Sequence, residues 1–153
     1  MISLKDNEPF IIVNGRCQLL SYYSKETQRS FHISTAAKGF GETHGSYKTP
    51  RGWHYIRAII GKELPIDTYY KSRRAVGTIT SISGRILWLC GLEAHNHHAS
   101  NHSMRRYIYI HGTPQHFLKK PISEGCINMR NSDIKLLTDI IPPYCKVYID
   151  SGE

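Results

Sequence analysis

A chain of 153 residues with 40% of them in the hydrophobic set has the material for one core and one site, so a single domain over residues 1–153 is expected. Twenty Lys and Arg against twelve Asp and Glu leave a net charge of +8, which draws anionic partners; the basic residues are scattered without a helix-turn-helix, zinc-finger or RRM pattern, and no nucleic acid is expected. No apolar run reaches the roughly 18 to 20 residues that span a bilayer, and the stretch Met1 to Glu8 lacks the basic-then-apolar order of an export signal, so neither a transmembrane segment nor a signal peptide is read in this chain.

In chain order, short segments rich in β-branched and aromatic residues and closed by Gly, Pro or Asn predict strands at Phe10 to Val13, Arg29 to Thr35, Trp53 to Ile60, Arg85 to Leu89, Arg106 to Ile110 and Lys146 to Ile149. One helix is predicted over Ser132 to Ile141. Ile134, Leu137 and Ile141 share a face there, Leu136 and Ile140 widen it, Asn131 or Ser132 caps its start, and Pro142-Pro143 stops it. Asp133 suits the positive end of that helix dipole. The fold class is therefore mainly β, a sandwich or barrel with one principal helix.

Between these elements, Gly39-Phe40-Gly41-Glu42-Thr43-His44-Gly45 matches no phosphate-binding pattern and reads as a loop. Ala94 to Met104 reads as an exposed polar loop. Its His95, His97, His98 and His102 stand at spacings from which imidazoles can converge on Zn²⁺ or Ni²⁺, but no carboxylate or thiol completes the set, so no metal or other cofactor is expected. Of the four cysteines, Cys17 and Cys90 lie in strand-like, apolar surroundings and read as small buried hydrophobes, and no C-x-x-C pair occurs.

The informative chemistry lies between Tyr107 and Met129. Tyr107 to Ile110 alternates like a strand and His111-Gly112-Thr113-Pro114 reads as a sharp turn, placing His111 at an exposed but rigid strand end. Ser123-Glu124-Gly125-Cys126 supplies a thiol preceded by a glycine, which lets backbone approach a substrate and lets consecutive N–H groups form an anion-binding hollow. A thiol with a pKa near ~8.5 needs a base; His111 can take its proton and return it to a leaving amine, with a carbonyl near Gly112 as the group that orients the other ring nitrogen. On residue chemistry alone, such a His and Cys are more often structural than catalytic.

The wider pattern is more specific. Ile110-His111-Gly112-Thr113-Pro114, then Pro121-Ile122-Ser123-Glu124-Gly125-Cys126-Ile127-Asn128-Met129, then Asp133 and Leu136-Leu137, resembles the catalytic motif of the L,D-transpeptidase family with the YkuD-type catalytic domain. Upstream, Ile33-Ser34-Thr35-Ala36, Gly39, Gly41, Ser46 and Thr49-Pro50-Arg51-Gly52 are similar to a second familial stretch, and Arg105-Arg106-Tyr107-Ile108-Tyr109-Ile110 to a third, so the resemblance runs from about Phe10 to Ile149.

The resemblance implies a YkuD-like fold and an acyl transfer on peptidoglycan stem peptides, the expected donor and acceptor partners. Cys126 would be the nucleophile and form a thioester, His111 the base with the Gly112 carbonyl orienting it, and N–H groups near Gly125 and Cys126 the oxyanion donors. Ser123 and Asn128 would shape the substrate pocket. The family also implies action in the periplasm or cell envelope and acylation by carbapenems. Water in place of an acceptor amine would make the enzyme an L,D-carboxypeptidase, and loss of catalysis would leave a wall-binding module. Two positions depart from the commoner pattern: Glu124 stands where many members have His, adding a negative charge expected to oppose a thiolate, and Asn128 where many have Arg.

Overall fold

The computed structural model describes residues 3–115 and 118–153. Strands β1 (Phe10–Asn14), β2 (Leu19–Tyr23) and β3 (Gln28–His32) form an antiparallel meander. Ile11 and Val13 on β1, and Leu20 and Tyr22 on β2, point inward, because alternate residues of a strand share a face. Beside β1, in parallel register, lies β10 (Lys146–Asp150), followed by β4 (Gly52–Ile60) and β7 (Ser83–Gly91), both antiparallel to their neighbours. The start of β7 carries the small hairpin of β5 (Tyr69–Lys71) and β6 (Arg74–Val76). Its middle pairs with β8 (Tyr109–Thr113), which pairs in parallel with β9 (Ile127–Arg130).

The sheet then curls back on itself. Just beyond β3, Ser34 bridges Asn128 of β9, with Ser34 N–H to Asn128 O at 3.0 Å and Asn128 N–H to Ser34 O at 2.8 Å. Inside the curl, Leu87, Leu89, Ile110, Ile127 and Met129 join the inward residues of β1, β2 and β10 in one core. Helix α2 (Asn131–Ile140) follows β9 directly and lays Ile134 and Leu137 into that core, each fully buried. Burial of such side chains stabilises by about 1.5 to 3 kcal/mol apiece. The expected mainly β fold with one principal helix after Cys126 is observed.

Several local expectations are corrected. Leu136 and Ile140 are 42% and 37% exposed, so the apolar stripe of α2 is narrower than its sequence suggests. Arg130 occupies the N-cap position without a side-chain cap; Asn131 is the first helical residue, and its Oδ1 accepts from Ser83 Oγ at 2.8 Å instead of capping. Cys17 lies exposed in the turn after β1. The stretch 94–104 holds a helical turn, α1 (Ala94–His97), and a short 3-10 turn (Ala99–Asn101), and it buries Asn96, His102 and Ser103, because Asn96 Nδ2 donates to the carbonyls of Arg51 and Trp53 and Ser103 Oγ bonds His54 Nε2.

The largest correction concerns β8. Its strand starts at Tyr109, since Tyr107 adopts a φ of 58° and Arg105 and Arg106 lie in turns, and it runs through His111 and Gly112 to Thr113. Gly112 is a close-approach glycine rather than a turn glycine. A Cβ there would stand 2.4 Å from both Ser83 O and Asn131 Oδ1. His111 is consequently a strand-interior residue, only 4% exposed.

Candidate active site

The parallel pairing of β8 and β9 sets Ile110 against Ile127 and His111 against Asn128. Ile110, Ile127 and Met129 face the core, so the alternate residues Tyr109, His111, Cys126 and Asn128 share the opposite side. A cavity of about 390 Å³ opens there, lined by His111, Cys126, Ser123, Glu124, Asn128, Ile122 and Gln115, with Ser81 and Ile82 closing it from the segment ahead of β7. Four of the six residues singled out from sequence, His111, Cys126, Ser123 and Asn128, line this wall; Gly125 directly precedes Cys126, and Gly112 contributes its carbonyl to His111.

His111 Nδ1 lies 2.7 Å from the Gly112 carbonyl oxygen. A carbonyl only accepts, so Nδ1 carries the proton and Nε2 holds the free lone pair. Burial drives the His111 pKa down to about 4, against the opposing pull of that carbonyl, and the ring is neutral near pH 7. Burial pushes the Cys126 thiol up to about 11, partly offset by the Tyr109 N–H, which donates to Sγ at 3.4 Å, and by the Arg106 guanidinium. The thiol itself donates to the Tyr107 carbonyl at 3.5 Å. The resting pair is therefore thiol and neutral imidazole, not thiolate and imidazolium.

The turn that carries Cys126 is pinned on both sides. Gly125 has a φ of 129°, open to glycine, and its carbonyl accepts from Thr49 Oγ1 at 2.9 Å, while Thr49 Oγ1 accepts from Ala36 N–H at 3.0 Å. Ser123 Oγ accepts the Gly125 N–H at 3.2 Å and donates to the Cys126 carbonyl. In this geometry the Gly125 N–H, expected as an oxyanion donor, is engaged by Ser123 Oγ. Asn128 is 6% exposed and its Oδ1 has no partner among the described residues, leaving a buried acceptor on the cavity wall. Glu124 is exposed at the rim, and its charge is not among the influences on the thiol, because its carboxylate stays in water.

In the sequence Arg106 stands at the start of an expected strand and in a familial stretch, with no role of its own. It is half-buried and donates to the carbonyls of Gly41 at 3.3 Å, Glu42 at 3.2 Å and Lys48 at 2.7 Å and to Ser46 Oγ at 3.4 Å. It thus organises the glycine-rich loop, and Lys48 of that loop backs onto Gly125. A second unmarked residue is Arg73 at the tip of the β5–β6 hairpin, whose Nη1 donates to the Tyr109 hydroxyl at 2.9 Å while its guanidinium covers Trp88 and Tyr107. Neither has a local sequence signal; each is defined by partners far along the chain.

Two buried histidines make stability depend on pH. His54, fully buried between Gly52 O and Ser103 Oγ, is also pushed down by burial to about 4. Both it and His111 titrate near ~6.5 when unfolded, so between pH 6.5 and 4 the unfolded chain binds more protons and stability falls as pH falls, by at most about 1.4 kcal/mol per pH unit per histidine. Melting temperature is expected to drop across that window, and His54→Gln to shallow the slope; a flat profile from pH 7 to 4 would contradict the assignment.

A thiol and a neutral imidazole on the wall of one cavity are the groups from which nucleophilic acyl chemistry can be built. The family model for the L,D-transpeptidase catalytic domain, YkuD, matches residues 8–149, and the chain belongs to that family. No curated protein matches the chain. Among solved structures, an L,D-transpeptidase from Mycobacterium tuberculosis H37Rv superposes with a TM-score of 0.61 at 12% identity, covering 93% of this chain and 57% of its own. The helical cell shape determining protein Pgp2 from Campylobacter jejuni gives 0.60 at 15%, covering 95% and 48%, and an L,D-transpeptidase from Xylanimonas cellulosilytica gives 0.58 at 17%, covering 94% and 61%. These likenesses show the fold. The chain spans about half to three fifths of the length of those structures. Among the described residues no helix is long and apolar enough to cross a membrane.

Proposed function

We propose that this chain is a cysteine-dependent L,D-transpeptidase acting on peptidoglycan stem peptides, in the periplasm or cell envelope where that polymer lies. The observation that carries the reading is the shared cavity of Cys126 and His111, with His111 held in the tautomer that offers Nε2 as a base. A stem peptide enters with the carbonyl of its L-centre over Sγ. Because the thiol is protonated at rest, His111 Nε2 takes its proton as Sγ attacks, and the Tyr109 N–H and the Arg106 charge stabilise the sulfur anion as it forms. The tetrahedral intermediate collapses, the terminal D-amino acid leaves with the proton returned by His111, and a thioester remains on Cys126. An acceptor amine attacks the thioester, gives its proton through His111 to Sγ, and departs as the new amide.

With the Gly125 N–H engaged by Ser123, the Cys126 N–H becomes the oxyanion donor at the nucleophile, and Thr49 fixes its direction by holding the Gly125 carbonyl of the same peptide unit. Asn128 Oδ1 matches a substrate N–H, since a buried acceptor left unmade costs about 1 to 3 kcal/mol until a ligand satisfies it.

The test is intact-mass analysis of the reduced chain after exposure to a carbapenem, followed by product analysis on muropeptides. One adduct per wild-type chain, absent from Cys126→Ala, is expected, together with cross-linked dimers. No adduct on the wild-type chain would overturn the proposal in favour of a silent wall-binding module; trimmed stems without dimers would make the enzyme an L,D-carboxypeptidase.

A further inference from the structure

No thiol lies within the histidine-rich stretch itself, but the fold turns one back onto it. Cys90, near the end of β7, lies beside His97 and His102, and one ligand atom from each of the three lies within 4.8 Å of the others. Cys90 Sγ is 3.7 Å from His97 Nδ1, and the two imidazole rings lean together at 4.2 Å between centroids. Three donors around one ion at bond lengths of about 2.0 to 2.3 Å stand roughly 3.3 to 3.8 Å apart, so a small rotation of the exposed His97 ring closes the set.

Independent of this spacing, His102 is 94% buried, by its 6% exposure, and its Nδ1 has no hydrogen-bond partner among the described residues. A buried ring nitrogen without a partner is costly, and a ligand on it removes the cost. His97 Nδ1, the ring nitrogen nearest Cys90, lies 2.8 Å from the Gly91 carbonyl oxygen and donates to it, a bond the ring gives up for the ion as it turns. His95 is not part of the set: its Nε2 bonds the Arg51 carbonyl at 3.1 Å. A separate cavity of about 360 Å³, lined by Gly91, Leu92, Glu93, Ala94, His97 and His98, opens beside the cluster and gives an ion a path in and water access to a fourth position.

We infer that Cys90, His97 and His102 form a Zn²⁺ site, apart from the Cys126 cavity, with one position open to solvent. A thiolate and two imidazoles suit this borderline ion and its tetrahedral geometry. Binding converts the Cys90 thiol to a Zn–thiolate and releases one proton to solvent. The ion ties β7 to the segment that leads into Arg106, whose N–H donates to the His102 carbonyl at 3.0 Å, so it secures the wall against which Cys126 rests. The site does not depend on the transpeptidase reading.

The test is a Co²⁺ titration of the reduced, tag-free chain at pH 7.5, followed by displacement with Zn²⁺. A thiolate-to-cobalt charge-transfer band saturating at one equivalent is expected in the wild-type chain and in Cys126→Ala, with at least tenfold weaker binding and no such band in Cys90→Ser. His97→Ala, at an exposed position, is expected to weaken binding at least tenfold too. A band that survives Cys90→Ser, one that disappears in Cys126→Ala, unchanged affinity in His97→Ala, or no band in the wild-type chain would each overturn the assignment.

Discussion

Replacing His111 by Gln lowers the rate of carbapenem acylation at neutral pH by about 10²- to 10⁴-fold, the range that positioned proton transfer supplies. The size follows from the environment of the pair. Burial holds the Cys126 thiol near a pKa of about 11, so almost none of it is ionised near neutrality, and attack needs a base in place. His111 supplies the imidazole lone pair on the cavity wall; the neighbouring Ser123 and Asn128 cannot accept a proton usefully, and Glu124 sits in water at the rim. The pH profile separates this role from a packing role. In the wild-type chain acylation falls only as pH drops towards about 4, where His111 protonates; in the variant the rate climbs with pH up to about 11, as hydroxide ionises the thiol directly. Equal profiles for the two proteins would rule out His111 as the base.

Arg106→Met is expected to cost about 2 to 4 kcal/mol of stability, from charge-assisted bonds to three carbonyls and a hydroxyl whose acceptors are left half-buried. For a chain of this size that is a fall of roughly 10 °C in melting temperature. A second effect appears in chemistry. The guanidinium opposes the burial of the thiol, so its loss raises the Cys126 pKa further and slows alkylation at fixed pH. Arg106→Lys keeps the charge but cannot reach four acceptors at once, so it should recover part of the alkylation rate and little of the melting temperature. Melting curves and iodoacetamide kinetics on the three proteins measure both; a lysine variant as stable as the wild type would mean that the loop is held by something else.

The strands at Phe10, Trp53, Arg85 and Lys146 were legible because each alternates or runs apolar residues long enough to mark a buried face. Strands β2 and β9 were not: Leu19–Tyr23 is short and ends among polar turns, and Ile127–Arg130 reads as the tail of a motif. The β5–β6 hairpin escaped because its turn uses Ser72 and Arg73 at φ values of 49° and 65°, where sequence patterns look for Gly or Asn. Gly112 misled in the other direction, since a glycine that admits neighbouring backbone looks the same in sequence as one that turns. The family-specific spacing located Cys126 and His111, but their protonation states depend on burial, which no spacing encodes. Cys90 lay seven residues ahead of His97 and was read as an apolar strand residue; only the reversal of the chain after β7 brings the two together.

The bridge between Ser34 and Asn128 bears on how the protein is made. The strand that follows the nucleophile is held on one side by β8 and on the other by a residue from the first quarter of the chain, and β1 meets β10 in parallel at the opposite terminus. Such distant pairings give a high contact order, for which folding takes milliseconds to seconds rather than microseconds. The thiol, its base and the turn that aims it therefore rest on pairings between segments far apart in sequence, and the cysteine gains its surroundings only once those segments have met.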